Sequence, residues 1–424
     1  MSRTIIRLAK LIDGSGSEPI ADATVVIEGD RIAGVSAGPP ASLRRDDVVL
    51  DFSDLVATPG LIDGHVHFGF GGFDTTEEIL EVYAALDDAE LAMFMAGNAA
   101  RTVMSGVTTV RECGGRGRLA QQLRDSVYEG FSIGPRILAS GMPVTTTAGH
   151  CHYLGGRADS TEDVRRIVRN MVQDDADVIK MMLTGGRMTK DSNTLACQYS
   201  QEQVSALSDE AHRLSRRAAA HVLSTEGIKR AVRAGIDTLE HCRWQDENAA
   251  FDFDADTIAS IQAQGIHVSL TMAGNIRVLL QNVLKGVSDI GAIESERFRT
   301  ERAMFDKGMK VFLTSDAGVA SCRFEEFWLS MLCAEHFLQL DPVEVIRLST
   351  SAAAEALGIQ DQVGLVQPGY QADLVLLASD PTESTRAYGS VAHVMLGGEI
   401  LKGVHSDRRV KLRRLQPAPR GGAL

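Results

Sequence analysis

The chain has 424 residues, 44% of them hydrophobic, enough for one large α/β barrel and a smaller domain. Its net charge of -13 argues against nucleic acid or an anionic membrane as a partner. No apolar run reaches the ~20 residues needed to cross a bilayer, and Met1 to Lys10 lacks the long apolar core of a secretory signal. The expectation is therefore a soluble, cytoplasmic protein. Six cysteines, at positions 113, 151, 197, 242, 322 and 333, include no Cys-x-x-Cys pair. That fits a reducing compartment and unpaired thiols used mostly as small core residues.

The first segment reads as short strands broken by turns. Thr24 to Ile27 and Ile32 to Val35 flank the turn Glu28-Gly29-Asp30-Arg31 and predict a hairpin. Leu55 to Ile62 reads as one buried strand passing a Pro59-Gly60 kink and leading to Asp63-Gly64-His65-Val66-His67. Further strands are predicted at Val107 to Arg111, Arg136 to Ser140, Val178 to Leu183, Ala218 to Val222, Thr238 to His241, Ile266 to Leu270 and Lys310 to Thr314. Helical patterns separate most of them, among them Thr161 to Gln173 and Gln201 to Arg217. Helix starts are marked by Thr161-Glu162-Asp163 and by Ser200 with Glu202 and Gln203.

Eight parallel strands with crossovers imply a (β/α)8 TIM barrel, whose chemistry gathers at the C-terminal strand ends. Near the C-terminus the strand texture returns at Ala372 to Leu377 and Val391 to Leu396, followed by a Gly397-Gly398-Glu399 turn into Ile400-Leu401. The expected fold class is α/β: a barrel over residues 60–362, with a small β-sandwich domain built from both chain ends, 1–59 plus 363–405. Residues 406–424 form a basic tail, with Arg408, Arg409, Lys411, Arg413 and Arg414, read as a flexible or subunit-contacting arm.

Polar residues placed on these strand ends form a constellation. Residues two apart in a strand face one side, so His65 and His67 project together. With Asp63 beside them they suit a borderline metal such as zinc. Lys180 lies in strand four, His221 and His241 end strands five and six, and Asp316 follows strand eight. Singly, each histidine suits a core or loop role, the lysine an ion pair and Asp316 a helix cap. Jointly, all six open on one mouth.

On these residues the chain resembles the amidohydrolase superfamily. The likeness is closest to the branch of imidazolonepropionase-like proteins and metal-dependent Xaa-Pro (prolidase-like) dipeptidases. Gly-Leu-Ile-Asp-Gly before His65, Ala-Gly-Ile-Asp-Thr-Leu-Glu-His ending at His241, Thr-Ser-Asp-Ala-Gly around Asp316 and the segment Pro368 to Val375 carry the likeness over roughly residues 5 to 402. The resemblance implies two divalent ions, with zinc, manganese, cobalt and iron all compatible with such ligands. It implies that Lys180 takes up carbon dioxide and becomes N6-carboxylysine, a two-oxygen anion bridging the ions. Burial favours this by disfavouring the ammonium. His65, His67 and Asp316 would hold one ion, His221 and His241 the other. A metal-bridging hydroxide would attack an amide carbonyl while Asp316, the catalytic acid/base, accepts its proton and passes it to the leaving nitrogen. A homo-oligomer acting on a small-molecule amide is implied as well.

Substrate clues are fewer. In the loop Thr145 to His152, His150 best matches a histidine that contacts substrate in prolidase-like relatives, with His152 second. Those relatives often carry a tyrosine two residues after the strand-five histidine, where it holds a substrate carboxylate; here that position is Leu223. Arg243 or Arg187 can supply the missing charge, or each can serve a surface salt bridge. Phe68, Phe70 and Phe73, interspersed with glycines, form either an apolar lid or packing beneath the loop. The favoured substrate is an N-acyl amino acid or a dipeptide-like compound. The alternative is a non-peptide amide, carbamate or urea. A one-metal deaminase and a catalytically dead binding protein are the remaining readings.

Overall fold

The computed structural model describes residues 3–40, 42–272, 276–277, 279–280, 291–401, 412 and 414–418. Four strands open the chain: β1 (Arg3–Leu11), β2 (Ile20–Glu28), β3 (Arg31–Ala37) and β4 (Val48–Pro59). The middle contributes β5 (Leu61–Val66), β6 (Val107–Glu112), β7 (Arg136–Ala139), β8 (Val178–Met182), β9 (Arg217–Ser224), β10 (Thr238–Gln245), β11 (His267–Thr271) and β12 (Lys310–Thr314). β13 (Leu374–Leu377), β14 (Val391–Leu396) and β15 (Glu399–Ile400) follow.

Both chain ends share one seven-stranded sheet, ordered β15-β14-β13-β4-β1-β2-β3. β4 joins them: it runs parallel to β1 and pairs antiparallel with β13, Pro59 opposite Leu374. β2 and β3 form the expected hairpin, with Glu28 opposite Arg31 across a two-residue turn. Ile6, Leu8, Val25, Ile27, Ala57, Leu374 and Leu376 form the apolar cluster of this sheet, as period-two alternation requires.

The run Leu55 to Ile62 is not one strand. β4 ends at Pro59 and β5 starts at Leu61, in a different sheet. Gly60 makes the transfer: its N–H donates to the Asp373 carbonyl at 2.9 Å, and a methyl group there would lie 2.0 Å from the Thr108 hydroxyl oxygen. The hydrophobic pattern runs unbroken across the junction because both sheets bury their strands there.

The middle strands form two parallel sheets, β5-β6-β7 and β12-β11-β10-β9-β8. Backbone hydrogen bonds cross both seams. Val144 N donates to Lys180 O and Met182 N to Val144 O, each at 2.8 Å; on the other side Asp316 N donates to His65 O at 2.9 Å and His67 N to Ala317 O at 2.8 Å. β5, β6, β7, β8 and β11 are buried along their whole length, as parallel strands covered on both faces are. The helix Thr161–Gln173 begins at a Ser160–Asp163 capping box, and the helix Gln201–Arg213 at a Ser200–Gln203 box. The second helix stops at Arg213 instead of running to Arg217. Ser215 turns left-handed, φ 56°, and Arg217 already opens β9, whose Ala218 pairs with Ile179.

The described part of the basic tail packs on its own chain rather than extending as a free arm. Leu415 joins an apolar cluster with Ile62, Phe312 and Leu357, and Arg414 Nη2 donates to Asp177 at 2.7 Å. Arg408, Arg409, Lys411 and Arg413 lie outside the described residues. No disulfide links any of the six cysteines, and all but Cys197 are buried. Among the described residues no helix is long and apolar enough to cross a membrane.

Arg136 on β7 ties the two regions together. Fully buried, it donates through Nε to Asp373 Oδ2 at 2.9 Å and through Nη2 to Gln371 Oε1 at 2.9 Å. Arg136→Met leaves Asp373 buried without its charge partner. The expected cost is about 3–5 kcal/mol, read as a lower denaturation midpoint; an unchanged midpoint contradicts this role.

Candidate functional site

The strand ends deliver six side chains to one cavity of about 340 Å³, lined by His65, His67, Lys180, His221, His241 and Asp316. His65 is on β5 with His67 just beyond it, Lys180 is central in β8, His221 is on β9, His241 on β10, and Asp316 lies past β12. All are buried or nearly so. Two strand ends depart from ordinary β geometry to achieve this: His241 has φ 67° and Asp316 φ 61°. Left-handed non-glycine residues cost about 1–3 kcal/mol each and gather at functional sites. At β10 the departure breaks alternation, so the adjacent Glu240 and His241 both serve the cavity region.

Three of the four histidines have one ring nitrogen fixed. His65 Nδ1 lies 2.9 Å from Glu240 Oε2, His67 Nδ1 3.0 Å from Gly114 O, and His221 Nε2 3.0 Å from Gly185 O. Such bonds set the tautomer and free the opposite nitrogen as a lone-pair donor. His65 Nε2 and His67 Nε2 then lie 3.5 and 3.3 Å from Asp316 Oδ1. One ligand-type atom each from His65, His241 and Asp316 fall within 4.8 Å of one another. The His221 and His241 rings are 4.6 Å apart, centre to centre.

The electrostatics favour neutral imidazoles at His65, His221 and His241 beside an ionised Asp316, the protonation state a metal requires. Burial, then the Lys180 charge, pushes His65 down to about 4. Burial and a neighbouring histidine hold His221 and His241 well below the usual range. For His67 burial works the same way, but the Asp316 carboxylate outweighs it and the net direction is up. Asp316 stays far below the usual carboxylate range, because His65 and His67 overcome its burial.

Lys180 stands apart. Its side chain is 1% exposed, and Nζ has no hydrogen-bond partner among the described residues. A buried donor without an acceptor is costly.

Sequence reasoning missed Glu240, Arg111 and Thr238, which support the centre from behind. Fully buried Glu240 accepts from His65, from Arg111 Nη2 at 2.5 Å and from Thr238 Oγ1 at 2.8 Å. Burial alone would raise its carboxyl; Arg111 holds it well below the usual range. The available signal is a charged residue in the buried stretch of each strand, Arg111 in β6 and Glu240 in β10. Glu240→Gln keeps the shape but removes the charge that orients His65. Metal affinity is expected to fall ~10–100-fold, measured by competition with a chelator; undiminished affinity would remove Glu240 from this role.

Asp63 is not part of the cavity lining. Its carboxylate accepts from Ser315 N at 3.1 Å, from His65 N at 3.2 Å and from the Ser315 hydroxyl, so it fixes the backbone under both ends of the cluster. His150 lines the cavity with its ring 4.8 Å from that of His221. A methyl on Gly186 would lie 2.3 Å from His150 Nε2. His152 is not brought in. Left-handed Cys151, φ 56°, turns the chain, and the His152 ring bonds Gly149 O at 2.9 Å. Burial pushes the Cys151 thiol up to about 12, away from the thiolate form that a nucleophile needs. Leu223, Arg187 and Arg243 line the cavity. Phe68 and Phe70 are packing, not lid: both are buried, and Asn98 Nδ2 donates to their carbonyls at 2.8 and 3.0 Å.

Fold and site together define an α/β protein with a buried cluster of ligand-type side chains on parallel strands. Residues 56–401 match the Amidohydrolase family, and the chain belongs to that family. It is an enzyme of the group that hydrolyses amide carbon–nitrogen bonds. The ochratoxinase of Aspergillus niger is 27% identical over 432 aligned residues, covering 94% of this chain and 87% of its own. Its crystal structure gives a TM-score of 0.79 over 95% of this chain and 96% of that one. A Xaa-Pro dipeptidase crystallised with methionine in its active site gives 0.81 at 26% identity, covering 95% of this chain and 100% of that one. The imidazolonepropionase of Chloroflexus aggregans is 25% identical over 85% of this chain and 86% of its own.

Proposed function

We propose that this chain is a two-metal amidohydrolase that cleaves the amide of an N-acyl amino acid or dipeptide-like substrate. One observation carries the reading: the buried Lys180 Nζ, without a hydrogen-bond partner among the described residues, in a cavity shared with four histidines and an aspartate. An ammonium there repels cations and offers no acceptor. Addition of carbon dioxide to the neutral amine, with loss of a proton, replaces the orphan donor by a carboxylate. His65, His67 and Asp316 would then hold one divalent ion, His221 and His241 the other, with Lys180 between them; zinc suits this nitrogen and oxygen set. When bound, the ions supply an ionised water at neutral pH and polarise the scissile carbonyl.

The protein's own share is positional. Asp316 Oδ1, 3.3 Å from His67 Nε2, holds the proton released by the attacking water and delivers it to the leaving nitrogen. His150 meets the substrate from the opposite loop. Burial of the cluster excludes bulk water. We read the two parallel sheets as arcs of one (β/α)8 barrel spanning residues 60–362, since backbone hydrogen bonds cross both seams. We assign 1–59 and 363–405 to one accessory β domain, since β4 pairs with β13.

The dipeptidase and ochratoxinase likenesses support an amide with an amino-acid part. Leu223 favours a second reading, a non-peptide amide, carbamate or urea. The metal-loaded protein, screened against N-acyl amino acids, dipeptides, carbamates and ureas, is expected to release amino acids. Turnover confined to carboxylate-free compounds would overturn the first reading in favour of the second.

A further inference from the structure

The sequence leaves Arg187 and Arg243 as equal candidates for a cation at the opening, and the structure separates them. Arg243 Nη1 lies 3.7 Å from Glu301 Oε1. Arg297, which also lines the cavity, donates through Nε to the same atom at 3.0 Å and through Nη2 to the Thr271 carbonyl at 2.7 Å. Both arginines therefore face protein acceptors. Arg187 lines the same cavity and is exposed, and its guanidinium makes no hydrogen bond or ion pair among the described residues. An unpaired arginine is ordinary on an outer surface, where water and salt screen it. One that lines a cavity beside ligand-type side chains offers a free, planar set of donors matched to a carboxylate.

The backbone beneath Arg187 is fixed on both sides. It belongs to the segment 184–198 after β8, closed at its base by the Thr184–Cys197 bridge and by Gly185 N donating to Ala196 O at 3.1 Å. Before Arg187, Gly186 presses on the His150 ring, as the 2.3 Å left for a methyl group there requires. After it, the Met188 carbonyl accepts from Tyr153 Oη at 3.0 Å, and Thr189 Oγ1 accepts from Cys151 N at 2.7 Å. Gln198 completes the tie: its side chain accepts from His150 N and donates to Met182 O, each at 2.6 Å. Arg187 is thus anchored next to the residue that touches His150, whose ring lies 4.8 Å from that of His221. Little backbone ordering is left for a ligand to impose.

We propose that Arg187 is the specificity-determining residue for a substrate carboxylate, engaged when an N-acyl amino acid occupies the cavity. In such a substrate the carboxylate sits on the carbon that bears the scissile nitrogen, so its cation must lie close to the reacting centre. The contacts from Gly186 to His150 and from His150 to His221 place Arg187 there. This rests on the hydrolase reading and deepens it. Asp74 is also exposed and lines the cavity; among the described residues no ion pair joins it to Arg187. It therefore leaves the guanidinium available, and it serves as the control for charge at the opening.

The test uses N-acetyl-L-phenylalanine and N-acetylphenethylamine, which differ only in the carboxylate, with metal-replete enzyme and acetate release as the readout. Wild type is expected to prefer the acid at least ~10-fold in kcat/KM, chiefly through KM, the scale of one charge-assisted hydrogen bond. Arg187→Gln is expected to bring that ratio close to one, Arg187→Lys to keep part of it and Arg187→Glu to invert it. Asp74→Asn is expected to hold or raise it. Both side chains are exposed, so these variants are expected to fold as wild type does, with circular dichroism as the check. A ratio that survives in Arg187→Gln, one lost equally in Asp74→Asn, or a wild type indifferent to the carboxylate overturns the assignment and leaves the hydrolase reading standing. If neither compound is cleaved, the N-acyl amino acid reading fails instead. Calorimetric Kd values for the same uncleaved pair then decide the role of Arg187: a preference for the acid lost in Arg187→Gln supports it, and equal Kd values, or binding of neither compound, overturn it.

Discussion

Lys180→Arg and Lys180→Met are both expected to abolish turnover, by roughly 10³-fold or more, the scale on which removing one member of an interdependent catalytic unit acts. The pair separates two roles. If the side chain served as a fixed cation, arginine would preserve it, since its charge is permanent. If it is the precursor of a bridging carboxylate, arginine fails as completely as methionine. Burial makes the second role the stronger one. Nζ has no acceptor among the described residues, and the Glu240 carboxylate is already occupied by Arg111, Thr238 and His65. The measurement is kcat together with bound metal per chain. Activity retained by Lys180→Arg would return Lys180 to an ordinary charged role.

Asp316→Asn is expected to keep the fold and lose roughly 10²–10⁴-fold in kcat at saturating metal, the range assigned to a general base. The fold should persist because Asp316 sits at φ 61°, and asparagine is among the few residues that tolerate this region. Its backbone N–H to the His65 carbonyl, 2.9 Å, is untouched. What changes is chemical. An amide cannot accept the proton of the attacking water, and an N–H placed 3.3 Å from His67 Nε2 would replace an acceptor. Steady-state kinetics with circular dichroism as a fold control reads the effect. A variant with full turnover and full metal content would remove Asp316 from acid–base work.

Much of this site was legible because the two codes involved are local. Parallel strands buried on both faces read as apolar runs, and a histidine, lysine or aspartate at the end of such a run stands out. Lys310–Thr314 and Val391–Leu396 fall on β12 and β14 without adjustment. What escaped depends on tertiary neighbours. Leu55 to Ile62 looked like one strand because apolarity does not say which sheet a residue faces; the close approach of Gly60 to Thr108 decides it. The sequence places His150 and His152 in one loop without separating their roles, since the left-handed Cys151 between them has no sequence signal. Glu240 acts only through His65 and Arg111, partners far from it in sequence. Leu415 sits in a tail whose composition is basic, yet it completes an apolar cluster with Phe312. Arg297 reaches the cavity from the helix Ala292–Asp306, which nothing in the sequence connects to β10.

The central claim is that Lys180, carboxylated, completes a site for a pair of divalent ions. It is tested most directly by metal analysis of protein loaded with and without bicarbonate, dialysed free of unbound metal. Two equivalents per chain with bicarbonate, and a clear deficit without it, are expected. One equivalent or none under both conditions, or full occupancy regardless of bicarbonate, would contradict it.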